Sequence, residues 1–181
     1  MKTCKNKECQ NTFNPVTSLQ KYCFYCTVTK AKNKVWKVRK KELKEKIKTV
    51  SDYRADARYW FQRWIRLRDL GKTCISCKTI LKDIRDYDAG HYYNAKSYPQ
   101  LLFNEFNVAG QCKYCNDFLS GNLIKYRKGI IKRYGIDKLN ELERLAEDKS
   151  VRTLTKEYYL EIADKYKKLC QQIEKTNKKV E

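Results

Sequence analysis

Eight of the nine cysteines fall into two groups of four, and that grouping constrains the fold more than any other feature of the chain. The first group has the spacing Cys4-x4-Cys9-x13-Cys23-x2-Cys26. The second consists of Cys74-x2-Cys77 and Cys112-x2-Cys115, with 34 residues between the pairs. A two-residue gap lets one turn present two thiolates to adjacent corners of a tetrahedral ion, and four thiolates complete a structural zinc site. A segment as short as residues 4–26 hardly folds without its ion. Each set is therefore expected to hold one zinc, against the alternatives of free thiols and disulfides. The opening Met1-Lys2-Thr3-Cys4-Lys5 carries no secretory signal, so a reducing cytoplasm is expected, where close cysteine pairs are metal ligands more often than disulfides.

The chain carries 41 Lys and Arg against 21 Asp and Glu, a formal net charge of +20 over 181 residues. Such an excess points to a polyanionic partner, nucleic acid first and an anionic membrane surface as the alternative. No apolar run is long enough to span a bilayer. With 41% hydrophobic residues the chain can bury a modest core and holds at most two compact units.

Between residues 30 and 48 lysine dominates, with no Gly or Pro. Sparse apolar positions at Val35, Val38, Leu43 and Ile47 make this an exposed basic helix, or an arm that becomes helical on an anion. A solvated face is the usual meaning of a charge run, but repulsion among these lysines favours phosphate contact. Lys34, Lys37, Arg39, Lys40, Lys41 and Lys44 are its candidate DNA contacts. In residues 52–70, Tyr53, Ala57, Trp60, Trp64 and Leu67 recur at spacings of three and four, the stripe of an amphipathic helix that Gly71 stops. That stripe reads as core rather than as a base-stacking platform, while Arg58 and Arg66 on its other faces suit phosphate, as does Arg127 further on.

The C-terminal third reads as helical. One helix ends at Gly135, Asp137 is expected to cap a second bearing Leu139, Leu142 and Leu145, and Thr155 a third. The third carries Tyr158, Ile162, Tyr166, Leu169 and Ile173 on one face, to pack on the 52–70 helix or on its copy in a dimer. Cys170 reads as a small buried hydrophobe, and the tail 175–181 as frayed.

The lone histidine, His91, lies between the later cysteine pairs in the run Asp88-Ala89-Gly90-His91, and Asn116 directly follows Cys115. Four thiolates close the zinc's coordination sphere, so this zinc is expected to clamp rather than react. What it clamps reads as a strand over 88–93, a loop through Pro99, a second strand over 103–108 and a helix over 113–119, with Asn116 on the first turn facing the His91 strand. His91, with an ordinary pKa of about 6.5, can accept a proton at cellular pH. Asp88 and Asn116 offer the oxygen ligands that a hard divalent ion prefers. A regular strand points Asp88 and His91 to opposite faces; a bulge at Gly90 would bring both to one side, with Asp86, Glu105 or Asn122 as substitute ligands. Asn107 is expected to tether the hairpin through side-chain hydrogen bonds.

These residues resemble the HNH, or ββα-metal, nuclease motif in its zinc-stabilised version, with His91, Asn107 and Asn116 standing for the three letters. The likeness extends further. The runs Asp88-Ala89-Gly90-His91-Tyr92, Pro99-Gln100-Leu101, Phe103-Asn104-Glu105, Gln111-Cys112, Cys115-Asn116, Ser120-Gly121-Asn122-Leu123 and Tyr126-Arg127 are similar to the Rap (NinG) recombination nucleases of lambda-type phages. The N-terminal cysteine segment and the basic helix also fit that family. Many nucleases of the superfamily place an aspartate immediately before the histidine, where this chain has Gly90. The resemblance implies a structure-selective endonuclease acting on branched recombination intermediates such as Holliday junctions and D-loops, as a homodimer, with magnesium or manganese for cleavage, in the cytoplasm of the infected host. Recruitment by other recombination proteins stays open.

The expected architecture is α+β: a Cys4 zinc knuckle over 1–29, a basic helical arm over 30–50, an amphipathic helix and a small zinc-bound ββα-metal core over 51–135, and C-terminal helices over 136–181. Two other functions fit the same residues. One is an HNH nuclease of restriction or homing type acting on duplex DNA; the other is a non-catalytic zinc protein that only binds DNA.

Overall fold

The computed structural model describes residues 1–148, 150 and 154–177. It divides into two compact units, Met1–Thr49 and Val50–Glu181, and the end of the tail at 178–181 lies outside the described residues.

In the first unit, two-residue strands β1 (Lys2–Thr3) and β2 (Thr12–Phe13) pair antiparallel, with Lys2 opposite Phe13 and Thr3 opposite Thr12. The Cys4 amide donates to Asn11 O and the Cys9 amide to Asn6 O, so the connecting turn carries the first two thiols. Helix α1 (Phe24–Lys46) starts immediately after Cys23, which caps it. The division drawn at residue 29 therefore falls inside one continuous helix. Cys26 is the buried residue of α1, and Val35, Trp36, Val38 and Leu43 stay exposed.

The second unit is built on α2 (Val50–Asp69) packed against α5 (Lys156–Asn177). The buried stripe of α2 runs through Tyr53, Ala57, Phe61 and Ile65 at intervals of four, one position round from the stripe expected through Trp60 and Trp64. Phe61 takes the centre because its ring fits edge-on to both Phe103 and Tyr166, with centroids 5.6 and 4.8 Å away. The half-buried indoles cover the seam instead: Trp64 packs on Tyr166 at 5.0 Å and carries the Arg68 guanidinium at 5.1 Å. On α5 the fully enclosed residues are Tyr159, Tyr166 and Cys170, and Thr155 Oγ1 caps the helix by accepting from Tyr158 N at 3.3 Å.

Strands β3 (Tyr87–His91) and β4 (Val108–Cys112) form a two-stranded antiparallel hairpin, with Asp88 opposite Gln111, Gly90 opposite Ala109 and His91 opposite Val108. The register is one-to-one, so the bulge envisaged at Gly90 does not occur. The second strand also begins where the expected one ended. Leu101, Leu102 and Phe103 turn inward from a 3₁₀ turn at Pro99–Leu101, and Asn104 Oδ1 then accepts from the amides of Phe106 and Asn107 at 2.9 and 3.0 Å. An asparagine that satisfies nearby amides bends the chain and delays the ladder.

Helices α3 (Leu123–Tyr134) and α4 (Ile136–Glu147) cover the hairpin through Tyr126, Ile130, Leu139 and Leu142, packed with Ile75, Leu101 and Ala109. Gly135 opens α4, and Asp137 falls in its first turn rather than at the cap. Asp69, at the end of α2, is fully buried. Its carboxylate accepts from Arg68, Gly110 N and Arg133 at 2.8, 2.8 and 3.2 Å, joining α2, β4 and α3. Burial pushes this carboxyl up, but Arg68, the Gly110 amide and Arg133 outweigh it and hold the group below the usual carboxylate range. No helix of the described residues is long and apolar enough to cross a membrane.

Candidate functional site

The two cysteine sets each converge. Within each set of four the sulfurs all lie within 4.8 Å of one another, and the nearest cross-pairs, Cys9 with Cys23 and Cys77 with Cys112, stand 3.8 and 3.7 Å apart. A tetrahedron of thiolates with bonds of about 2.3 Å has an edge of about 3.8 Å, so both clusters fit zinc and neither contains a disulfide. Polar hydrogens also turn toward the sulfurs as they do toward thiolates. The amides of Ser76 and Cys112 donate to Cys74 Sγ at 3.4 Å, and Asn6 Nδ2 donates to Cys26 Sγ at 3.4 Å. Both Cys4 clusters can hold zinc.

The second cluster fixes what lies between its pairs. Cys112 ends β4, and Cys115 sits in a single helical turn, Tyr114–Phe118, whose residue Asn116 lies over β3. The chain then runs through Ser120, Gly121 and Asn122, all at positive φ (47°, 87° and 45°), before α3 begins. Asn122 closes this link by donating from Nδ2 to Cys115 Sγ at 3.6 Å. It is therefore committed to bracing the cysteine cluster rather than placed beside Asp88.

Beside the cluster is an open cleft of about 640 Å³, bordered by Arg58, Gln62 and Arg66 from α2, by Asp88, Ala89, Gly90 and His91 along β3, by Asn94 to Lys96, and by Asn116, Ser120 and Gly121. Four consecutive β3 residues reach it because β4 occupies only one edge of β3. Asp88 and His91 thus share the cleft across the open edge despite pointing to opposite faces, which removes the need for a bulge. His91 Nε2 faces Leu102 O at 3.4 Å. Burial lowers the imidazole below its ordinary value and the positive charge of Arg58 adds to this, while bonds to the Leu102 and Ala89 backbone act the other way. The net effect favours the uncharged ring.

Asn116 Nδ2 approaches Asp88 Oδ2 at 3.4 Å and Asp117 Oδ1 at 2.9 Å. Asn107, fully buried, accepts from Tyr93 N at 2.8 Å and donates to Tyr93 O and Leu101 O, both at 3.1 Å, closing the loop that follows His91. Tyr126 donates to Gly90 O at 2.8 Å from beneath.

The chain matches the family described as "Bacteriophage Lambda NinG protein" over residues 1–177. It belongs to the NinG family. Among its relatives, protein ninG of Salmonella phage P22 and of Escherichia phage lambda are each 34% identical over 162 residues, covering 77% of this chain and 79% and 78% of theirs. Protein ninG of Escherichia phage 933W is 40% identical over 92 residues, covering 47% of this chain and 45% of its own. No solved structure matches the chain.

Within the second unit, three other expected residues of this NinG chain fall away from the cleft. Asp86 is exposed outside it. Glu105 accepts from Tyr166 Oη at 2.8 Å and Lys165 Nζ at 3.1 Å, which commits it to the α5 interface. Arg127 pairs with Glu143 on α4 at 3.2 Å. Lys34, Lys37, Arg39, Lys40, Lys41 and Lys44 are exposed on α1, in the first unit. Sequence reasoning missed Gln62, Lys96 and Ser120 at the cleft and the buried Asp69 and Gln111 behind it; the one signal was a lone Gln inside the otherwise small and apolar strand Val108–Cys112.

Proposed function

We propose that this chain is a structure-selective DNA endonuclease that hydrolyses phosphodiesters in branched recombination intermediates, using an HNH-type core. The observation that carries the reading is the convergence of a histidine, a carboxylate and an amide in one cleft flanked by Arg58, Arg66 and Lys96. Attack on a phosphodiester needs a base for the water proton and positive charge for the oxygens that become more negative. His91 suits the base: its ring borders the cleft with Nε2 directed to Leu102 O, and burial favours the uncharged form that can accept a proton. Asp88 and Asn116 are the groups that would hold a magnesium or manganese ion, which when bound would stabilise charge on the phosphate and leaving oxygen. Arg66 lines the cleft, and its guanidinium suits a phosphate oxygen there.

Selectivity for branches has its own support. Tyr114 and Phe118 stack on each other at 5.9 Å and are exposed, 63% and 82%, on the same helical turn as Asn116. Exposed rings beside a basic cleft suit bases that have left the duplex stack. In this reading α1 adds shape-independent phosphate contacts, the enzyme works as a homodimer in the cytoplasm of the infected host, and the zinc ions remain structural.

The test is cleavage of synthetic four-way junctions, flaps and linear duplex by the zinc-loaded chain, with Mg²⁺ added or withheld. Metal-dependent cutting of branched substrates in preference to duplex is expected. Cutting of duplex alone would make it a restriction- or homing-type nuclease, and binding without cutting a DNA-binding zinc protein.

A further inference from the structure

Gln111 is fully buried in β4, and its Oε1 has no hydrogen-bond partner among the described residues. The other end of the amide is engaged: Nε2 donates to Ser76 Oγ at 2.8 Å and to Gly121 O at 2.7 Å. A backbone carbonyl only accepts, so the Gly121 bond fixes which end is nitrogen and leaves the oxygen turned toward Gly90. A methyl at Gly90 would collide with Gln111 Oε1 and would stand 3.1 Å from Asn116 Oδ1. Two amide oxygens thus approach the same bare Cα, and one of them is a buried acceptor with no donor, an unfavourable arrangement.

Asn116 shows the complementary mismatch. Its Nδ2, not its oxygen, lies toward Asp88 Oδ2, at a long 3.4 Å. An N–H group cannot ligate a cation. Turning the Asn116 amide by half a revolution exchanges Oδ1 and Nδ2 in nearly the same volume. The oxygen then joins the Asp88 carboxylate, while the N–H gives up its 2.9 Å bond to Asp117 Oδ1 and turns to the Gly90 side, where Gln111 Oε1 stands; a cation beside the carboxylates is what would favour this exchange.

We propose that Gln111 is a positioning residue of the cation site, accepting from Asn116 Nδ2 so that Asn116 Oδ1 and Asp88 face the ion together. This rests on the reading of Asp88 and Asn116 as cation ligands. Gly90 has a matching role, since its missing side chain leaves room for the two amides to meet. Ser76 and Gly121 both hold the Nε2 end of Gln111 from behind, and the Gly121 carbonyl alone is enough to fix which way Oε1 points.

The test is Mn²⁺ binding to the zinc-loaded full chain, read by electron paramagnetic resonance of the free ion, with zinc content and thermal melting recorded alongside. Asp88→Asn tests the underlying site, and should abolish or strongly weaken Mn²⁺ binding. Gln111→Met keeps the volume and removes the acceptor; Mn²⁺ affinity should fall about tenfold, the scale for losing a group that orients a metal ligand, with zinc retained. Gly90→Ala, whose methyl would displace Oε1 and also crowd Asn116 Oδ1, should weaken Mn²⁺ at least as much, so that unchanged binding by it overturns the role of Gln111 even if Gln111→Met loses its zinc. Ser76→Ala removes only a partner of Nε2 and should leave Mn²⁺ affinity unchanged. If Asp88→Asn is impaired while Gln111→Met and Gly90→Ala bind like the unaltered chain, the role of Gln111 is wrong and the cation site stands. Equal losses in Ser76→Ala and Gln111→Met make Gln111 a brace and also overturn the inference. Absence of Mn²⁺ binding, or binding indifferent to Asp88→Asn, overturns the cation site and this inference with it.

Discussion

The two cysteine clusters use the same four ligands at nearly the same spacing, with sulfur contacts of 3.8 and 3.7 Å, yet they organise different amounts of structure. The N-terminal cluster gathers a turn, a two-residue hairpin and the first turn of α1, beyond which the helix buries nothing further. The second cluster joins a loop, the end of β4 and the turn that carries Asn116, and those elements continue into packed layers. The difference lies in the intervening sequence: the 34 residues between Cys77 and Cys112 hold the lone histidine and a hairpin, whereas residues 10–22 hold one short strand. A metal cluster makes a site only when something worth positioning lies between its ligands.

The sharpest way to break this comparison is to remove one ligand from each cluster. Cys115→Ser should release one zinc and collapse the second unit, since a structural zinc contributes on the order of 10 kcal/mol to a small domain. Cys26→Ser should release the other zinc and leave the melting of the second unit in place. Zinc stoichiometry with calorimetry checks both, and equal collapse in the two variants would mean that the clusters do the same work.

His91→Ala separates chemistry from scaffold. Cutting of a four-way junction should drop by at least about 10²-fold if the imidazole is the base, with zinc content and DNA affinity retained; cutting unchanged in single-turnover assays would end the proposed mechanism. Replacing Lys34, Lys37, Lys40, Lys41 and Lys44 by Gln acts on the other unit. Affinity for junction, flap and duplex should fall alike, and the slope of log affinity against log salt should flatten by roughly 0.9 for each phosphate that the helix no longer neutralises. A slope that does not move gives α1 some partner other than DNA. The smallest effect concerns pH. Because burial lowers the His91 pKa, the base stays unprotonated down to below its ordinary value, and the acid limb of cleavage should lie below pH of about 6.5; a limb above that value would assign the base to another group.

Ligand spacing made both clusters legible in the sequence, because zinc geometry imposes a pattern that chemistry cannot easily vary. That His91 and Asn116 would border one cleft was legible for a related reason, one being rare and the other adjacent to a cysteine of the cluster. Positions set by packing were not. The α2 stripe shifts to Phe61 and Ile65 because enclosed volume, not hydrophobic spacing alone, chooses the central residue. The start of β4 was missed because Asn104 turns the chain through side-chain bonds that resemble any other polar position until the fold exists. Asp69 and Gln111 were invisible for the same reason: a buried polar residue reads as a surface one until its partners, here Arg133, Gly110, Ser76 and Gly121, arrive from distant segments.

The unpaired edge of β3 carries a liability as well as a use. A strand with free backbone donors and acceptors invites pairing with a strand of another molecule, and natural proteins guard such edges with charge. Here Arg58, Arg66 and Lys96 stand along the cleft that this edge borders, so the residues that would attract a phosphate also repel a second copy of the strand. In the proposed nuclease, solubility and phosphate recognition would then draw on one set of side chains, and a variant stripped of that charge should lose cutting and aggregate together.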